Sequence, residues 1–300
     1  MSTSTWFELS AARDTLTPET ERDRRRRRIL VLCAPFLVLA AVAAFVPLAT
    51  MVRMSVSTDR FANVGFSASA WRTLATDPLY RQVAVNTLWF AAATSAVSVA
   101  LGVAVSHAFA KYSLPFERVL VSVVSFPIAL PGIVVAFMVV ALLGRQGLVT
   151  NAVAFFSGQG PIDLATATTV TGLFVGYVYS LLPRATMVLR GTYAEVNTDA
   201  EQAARALGAD PLRTFYYVTL PEIRPGIVAA LLLTFRTALA IFGTVLVLQG
   251  LNVATLQLSQ VISVGYESQI AAGIGLVYFA FILAVTFVGL RYTEADVIRR

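Results

Sequence analysis

Six long apolar runs constrain what this 300-residue chain can fold into. A hydrocarbon core about 30 Å thick is crossed by roughly 20 residues of helix. A segment in lipid must satisfy its own backbone hydrogen bonds, and a helix does so. The sequence therefore predicts an all-α integral membrane protein with six transmembrane helices, at residues 29–52, 83–110, 119–144, 164–183, 225–250 and 268–290.

Composition supports this class. Hydrophobic residues make up 57% of the chain and charged residues 13%, whereas soluble domains carry about 25% charged residues. The first run follows a basic block, Arg24 to Arg28, but it exceeds the h-region of about 7 to 15 residues in a signal peptide, and no clear cleavage site follows. We expect a basic cytoplasmic tail at 1–28 and a six-span domain at 29–300.

The distribution of cations predicts the topology. If the N-terminus is cytoplasmic, 17 of the 23 Lys and Arg residues lie in inner segments, five lie in outer segments, and Arg236 lies within the fifth run. Positive charge concentrates on the cytoplasmic side of membrane proteins, so both termini are predicted to be cytoplasmic. The cations follow membrane edges without interleaved aromatic residues, which argues against nucleic acid as a partner and favours membrane lipid.

The sequence contains no recognisable site that would couple transport to an ion gradient or to ATP hydrolysis. None of the 17 Asp and Glu residues lies inside a run, although intramembrane carboxylates usually mark ion coupling. Lys111, the only lysine, is not part of a phosphate-binding loop, and the single Cys33 cannot form a cysteine metal cluster. His107, the only histidine, is expected to be satisfied at a helix end. We therefore predict no catalytic residue, metal or cofactor, and an energy supply from another polypeptide.

The long loop between the fourth and fifth runs has clear helix signals. Residues 197–221 read NTDAEQAARALGADPLRTFYYVTLP. Thr198 and Glu201 fit a capping box, which predicts a helix of about nine residues. Gly208 suits a left-handed helix end, and Asp210 would cap a second helix beginning at Pro211. Taken alone, the pattern also fits an ordinary amphipathic hairpin at the membrane surface.

This loop resembles the cytoplasmic signature of bacterial binding-protein-dependent ABC importer permeases, E-A-A-x-x-x-G, nine residues, then I-x-L-P. Two positions depart from it: Gln202 replaces the glutamate, with Glu201 one residue earlier, and Val218 replaces the isoleucine. In that family the loop is the coupling helix that docks on the ATP-binding subunit. The resemblance implies this coupling role for Glu201, Gln202, Ala203, Ala204, Gly208, Leu220 and Pro221.

The resemblance covers about residues 84–290 and implies an importer-permease helical bundle in the bacterial plasma (inner) membrane. It also implies the partners: two ATP-binding cassette subunits, a second permease, identical or related, and an extracytoplasmic solute-binding protein. ATP hydrolysis would then belong to a separate subunit. The alternative class is an ATP-independent membrane protein, either a secondary transporter or a scaffold.

Pro127, Pro131 and Gly132 interrupt the third run, because each proline removes an amide donor and breaks or kinks the helix. Carbonyls freed in this way must face protein or water. Such a break lines a substrate pathway in many transporters, and it also serves helix packing alone. Residues 126–131 resemble the L-P-x-x-x-P pattern of the permease family, which favours the translocation pathway.

Arg236 lies about eleven residues into the fifth run, where an arginine costs at least about 2.5 kcal/mol. Its surroundings resemble F-x-R-A-L-x-E-F-G of permeases for sulfate, molybdate and ferric iron, with Ile241 at the glutamate position. Two interpretations stay open: a cavity cation that favours an anion, such as an oxyanion, phosphonate or iron chelate, or an arginine paired with backbone carbonyls of a neighbouring helix. Polyamines and sugars are the alternative substrates.

Overall fold

The computed structural model describes residues 21–59 and 64–298, and these ranges contain helices and no β-strand. Six candidate membrane spans occur among the described residues, which confirms the predicted all-α membrane class. They are Arg27–Ser55, Pro78–Lys111, Gly132–Ser157, Val170–Ala194, Pro211–Ala240 and Ser268–Gly289. Most of the predicted tail, residues 1–20, lies outside the described part of the chain.

The helices are numbered in chain order. They are α1 Glu21–Ser55, α2 Ser69–Thr76, α3 Pro78–Lys111, α4 Glu117–Ser125, α5 Gly132–Leu143, α6 Leu148–Ser157, α7 Pro161–Leu164, α8 Val170–Ala194, α9 Thr198–Ala206, α10 Pro211–Thr214, α11 Leu220–Ala240, α12 Gly243–Leu248, α13 Ala254–Ser263 and α14 Ser268–Ile298. A 3₁₀ turn, Phe126–Ala129, follows α4, and a π-helical turn, Phe215–Thr219, precedes α11. The chain divides into two compact units at Arg53, so that most of α1 forms one unit and the other helices form the second.

Helix α8 is the most buried candidate span and packs against α3, α5 and α11. Its apolar face enters a core in which Leu173, Tyr177 and Leu181 contact Phe90 of α3 and Leu239 of α11. Apolar burial does not by itself drive helices together in lipid, so close contact and interhelical hydrogen bonds matter. One such bond joins α3 to α8, where the Ser106 hydroxyl donates to the Thr186 carbonyl at 3.1 Å.

The bounds of the third, fourth and fifth spans differ most from the sequence prediction, and the fifth is now Pro211–Ala240. The fourth was predicted to end at Pro183, but α8 continues to Ala194 with Pro183 inside it. Arg184 therefore lies within the span instead of the loop, and its guanidinium donates to the Ser180 carbonyl four residues earlier in the same helix. The third candidate span begins only at Gly132, after the proline break, and extends to Ser157.

Two breaks interrupt the apolar runs. In the third run, Leu130 and Pro131 are extended (ψ 130° and 143°) between the 3₁₀ turn and α5, as the prolines predict. The fifth run was predicted to be continuous, and this is wrong: α11 ends at Ala240, Ile241 is extended (ψ 119°), and α12 begins at Gly243. No proline marks this second break.

Tertiary contacts satisfy the carbonyls at these breaks. The Ile241 carbonyl accepts from the hydroxyls of Tyr177 and Thr255, each at 3.3 Å, and the Leu239 carbonyl accepts from the Tyr278 hydroxyl. The Gly132 carbonyl accepts from the Thr244 hydroxyl at 2.9 Å. The two breaks also touch: a Cβ on Gly243 would lie 2.8 Å from the backbone nitrogen of Ile133. Glycine is required here because the two backbones are in contact.

We predict that Tyr278→Phe destabilises the protein in detergent by about 1–3 kcal/mol, because it leaves the Leu239 carbonyl unpaired. Thermal unfolding of the purified chain measures the effect. Tyr179→Phe is the matched control, since the Tyr179 hydroxyl makes no hydrogen bond to any described residue. Equal melting temperatures for the two variants would contradict the role assigned to Tyr278.

A second prediction concerns close packing between α8 and α11. A Cβ on Gly226 would lie 2.1 Å from the Thr192 hydroxyl oxygen and 2.7 Å from its Cβ. We expect Gly226→Ala to destabilise the protein by about 1–3 kcal/mol through overpacking. Gly191→Ala, in open space on α8, is expected to be neutral or slightly stabilising, because alanine favours helix. Thermal unfolding distinguishes the two, and a stable Gly226→Ala would show that the helices separate easily.

Candidate coupling and translocation sites

The loop after α8 folds as two short helices joined by a tight turn. Asn197 caps α9, with its side-chain oxygen accepting from the Asp199 amide at 2.9 Å. The predicted capping box of Thr198 and Glu201 is therefore wrong. Helix α9 has the nine residues expected. Gly208 has φ +90°, in the left-handed region, and the Asp210 carboxylate accepts from the Arg213 amide at 2.7 Å, as predicted for the turn and the second cap.

Glu201 faces inward and not toward the cap. It is 5% exposed; one carboxylate oxygen lies 2.5 Å from Lys111 Nζ, and the other accepts from the Thr219 hydroxyl at 2.5 Å. Burial raises the pKa of this carboxyl, but the hydrogen bonds from Lys111 and Thr219 and the positive charges of Lys111 and Arg205 outweigh burial and hold it below its usual value. The sequence analysis did not link Lys111 or Thr219 to Glu201, because the two residues lie 90 and 18 positions away from it along the chain.

Other residues of the signature lie on the outside. Gln202, Ala203 and Pro221 are exposed, and Ala204 and Leu220 are half-buried. The hairpin also exposes large apolar side chains that the sequence analysis did not single out: Leu207 at 90%, Leu212 at 80%, Tyr217 at 74% and Tyr216 at 63%. Leu207 lies outside the candidate spans, and the other three lie in the first turns of Pro211–Ala240, ahead of the predicted run 225–250. An exposed apolar surface of this kind marks a protein–protein or membrane contact.

His107 lies beside this hairpin. Its Nδ1 is 3.2 Å from the Tyr193 hydroxyl, and its ring packs edge-on against Phe215 at 4.9 Å between centroids. The expectation of a satisfied residue near a helix end is confirmed.

The predicted pathway residues occupy two places. Pro127 is buried, Pro131 is exposed, and Gly132 is half-buried where the third-run break meets the fifth-run break. Arg236 lies on the exposed side of α11, in a groove of about 150 Å³ between α11 and α14. The groove is lined by Ala229, Leu232, Leu233, Val285, Thr286 and Gly289.

Arg236 makes no hydrogen bond or ion pair with the described residues, so the pairing with backbone carbonyls weighed above is not seen in this chain. Arg236 lies four residues before the end of the candidate span Pro211–Ala240 and outside the core of its own chain. An arginine inside a span avoids lipid at an energetic gain, which favours a protein partner or a water-filled cavity as its neighbour. Arg184 and Arg190 are further cations inside a candidate span, and the predicted bounds had placed both in a loop.

Known proteins resemble this chain in sequence and in fold. The family of binding-protein-dependent transport system inner membrane components matches residues 98–295. A probable sulfate transport system permease protein, cysT, of Helicosporidium sp. is 26% identical over 187 residues, covering 61% of this chain and 67% of the relative. The sulfate transport system permease protein CysW of Synechococcus elongatus is 31% identical over 153 residues, covering 50% of each. The chain thus spans half to two thirds of these relatives.

Among solved structures, a bacterial ABC transporter involved in the import of the acidic polysaccharide alginate has a TM-score of 0.72, at 16% identity, and the match covers 90% of this chain and 98% of that one. A structure of the alginate transporter with its alginate pentasaccharide-bound periplasmic protein has a TM-score of 0.70, at 16% identity, over 92% and 99%. At these identities the likeness establishes the fold. The family match covers most of the chain, and it includes α8 to α11 with the hairpin described above. The chain belongs to the family of binding-protein-dependent transport system inner membrane components.

Proposed function

We propose that this chain is the permease subunit of an ATP-driven importer in the bacterial plasma (inner) membrane, with both termini in the cytoplasm. The hairpin of α9 and α10 carries this proposal, because it presents an exposed apolar surface and is anchored to the second and fifth spans through Glu201. Family membership supports an importer over a secondary transporter or a scaffold.

The hairpin surface is the proposed docking site for an ATP-binding cassette subunit. Burying exposed apolar area stabilises a complex by roughly 25 cal/mol per Å², so Leu207, Leu212 and the two tyrosines offer a useful contribution. Ala203 and Ala204 leave room for a close approach, and Gln202 supplies a polar contact. Two such subunits would act on two permeases, identical or related, and would hydrolyse the ATP that this chain has no site for.

Solute would reach the permease from an extracytoplasmic binding protein; the family description, a binding-protein-dependent transport system, supports this. The segments at 53–82 and 251–267 lie on the proposed outer side and would contact it. Closure of the ATPase pair would move the hairpins and rock the spans from inward-facing to outward-facing, which is alternating access by rigid bodies. At the other membrane edge, Arg25, Arg27 and Arg28 are exposed at the start of α1 and would contact anionic lipid head groups.

The proposed substrate is a small anion of the sulfate class; phosphonates and iron chelates share the relevant chemistry. The sulfate permease relatives support this choice. Arg236 supports it independently, because an exposed cation without a described partner favours an anion in a cavity between two permeases. The positive charge of Arg236 disfavours polyamines, which are cations, and it would not contribute to the binding of a neutral sugar. In this arrangement Pro127, Pro131 and Gly132 shape the pathway wall next to the fifth-run break.

We predict that Gly208→Asp abolishes coupling while the protein still inserts in the membrane. At φ +90° a side chain is strained, and a charge would be added to the docking surface. We expect ATPase co-purification and uptake to fall by at least roughly tenfold, equivalent to about 1.4 kcal/mol. Gly158→Asp is the matched control: Gly158 has φ +70° and equally open surroundings, but it follows α6 outside the hairpin. Full association and uptake in Gly208→Asp would refute the docking site.

We predict that Arg236→Ala lowers sulfate uptake by roughly tenfold or more, because the cavity loses its cation. Arg236→Lys keeps the charge and should retain most of the uptake. The measurement is uptake of labelled sulfate into proteoliposomes containing the whole transporter and its binding protein, with phosphonate and sugar as parallel substrates. Unchanged sulfate uptake in Arg236→Ala would remove the role given to this residue.

A further inference from the structure

Three elements converge on the carboxylate of Glu201. Glu201 belongs to α9, Lys111 is the last residue of the second span, and Thr219 closes the π-helical turn that leads into the fifth span. The lysine and the glutamate have side chains only 14% and 6% exposed. The chain's single lysine thus makes a buried contact with the hairpin. In the proposed function, this hairpin docks on the subunit that hydrolyses ATP.

The contact is more than a surface ion pair. Both carboxylate oxygens are used, one by Lys111 and the other by Thr219, so the geometry is specified at two points. A cavity of about 190 Å³ adjoins it, lined by His107, Arg205, Thr214 and other residues at the same place. The pKa of the Glu201 carboxyl is held below its usual value, so this carboxylate keeps its charge at cytoplasmic pH.

Stability alone is a poor explanation for such a pair. Removing two charges from water costs about as much as their attraction returns, and well-packed apolar residues often serve as well or better. A buried ion pair whose carboxylate also accepts a second hydrogen bond fixes the distance and direction between the elements that it joins. Here these elements are a docking helix and two membrane spans.

The attachments of α9 are unequal. Its N-terminal end is tied to the fifth-span region twice, by the Thr219–Glu201 bond and by the Asn197 amide, which donates to the Glu222 carboxylate at 3.1 Å. Among the described side-chain hydrogen bonds and ion pairs, only Lys111–Glu201 ties α9 directly to the second span. Loss of this pair would remove the direct bond between α9 and the second span, and would leave that span only the ring contact of His107 with Phe215 on the hairpin.

The π-helical turn supports a mechanical role. Residues Phe215–Thr219 adopt the wider i→i+5 winding, which is frequent at functional sites, and the turn ends at Thr219, whose hydroxyl donates to Glu201. Thr219, the unspecified signature position between Val218 and Leu220, therefore makes a specific contact with Glu201.

We propose that Lys111 and Glu201, with Thr219, form a linkage that makes the second and fifth spans follow α9 as one body, so that movement of the ATPase subunit becomes movement of the pathway. This rests on the proposed function, since it assumes that α9 docks on an ATPase. Lys111 and Glu201 are positioning residues: they touch neither the nucleotide nor the solute.

The test uses the reconstituted transporter with Glu201→Gln, Lys111→Met and Thr219→Val, measuring ATPase co-purification, ATP hydrolysis and solute taken up per ATP. We expect association within about twofold of the unmodified complex and continued hydrolysis. We expect solute per ATP to fall by roughly tenfold for the two charge variants and several-fold for Thr219→Val, which removes only one hydrogen bond. Lys111→Arg, which keeps the charge, should retain coupling.

The exchanged pair Lys111→Glu with Glu201→Lys separates charge pairing from packing, and we expect it to recover at least a third of the solute per ATP. Arg190→Met and Glu117→Gln are the matched controls: that pair joins α8 to α4 at 3.3 Å but is 32% and 48% exposed, so little change is expected.

Unchanged solute per ATP in both Lys111→Met and Thr219→Val would overturn the linkage. So would loss of ATPase association in the Glu201 variant, because the residue would then only fold the hairpin. Failure of the exchanged pair would likewise exclude a role for charge pairing. None of these results bears on the docking site, which fails only if Gly208→Asp leaves association intact.

Discussion

A backbone polar group inside a membrane needs a partner supplied by protein or water, and this requirement governs where the chain departs from helix. Four hydroxyl groups provide such partners in this chain, each by donating a hydrogen bond to a carbonyl at or beside a break. They belong to Tyr177, Tyr278, Thr244 and Thr255. The breaks in the third and fifth runs are also packed against each other. Glycine at positions 132 and 243 allows the two backbones to meet.

Polar groups are satisfied in the same way at the hairpin, on the proposed cytoplasmic side. Glu201 lies in a helix that otherwise exposes much of its surface, yet its carboxylate is buried and fully used. The hairpin therefore combines an outer surface suited to a partner with an inner contact to two spans. A docking surface that was not tied to the spans could bind an ATPase without moving the pathway.

Much of this architecture could be predicted from local signals. The six runs, the proline break at Pro131, the left-handed Gly208 and the cap at Asp210 each depend on a few neighbouring residues, and all are found in the structure. The errors also have local causes. Pro183 and the arginines after it looked like the end of a span, but the helix tolerates the proline and continues to Ala194. Thr198 looked like a cap because Glu201 stands three residues later, but Asn197 caps the helix instead and Glu201 finds partners elsewhere.

The sequence by itself determined the membrane class, the number of spans and the position of the cytoplasmic signature, because hydrophobic length, charge and turn residues act over short distances along the chain. Tertiary structure alone decided the break at Ile241, the inward turn of Glu201 and the exposure of Arg236. Each of these depends on groups far away in sequence, such as Tyr278 for the fifth run and Lys111 for the hairpin. A hydrogen bond or an ion pair between distant residues leaves no periodicity in the sequence, so only the packed helices show which carbonyl or carboxylate it satisfies.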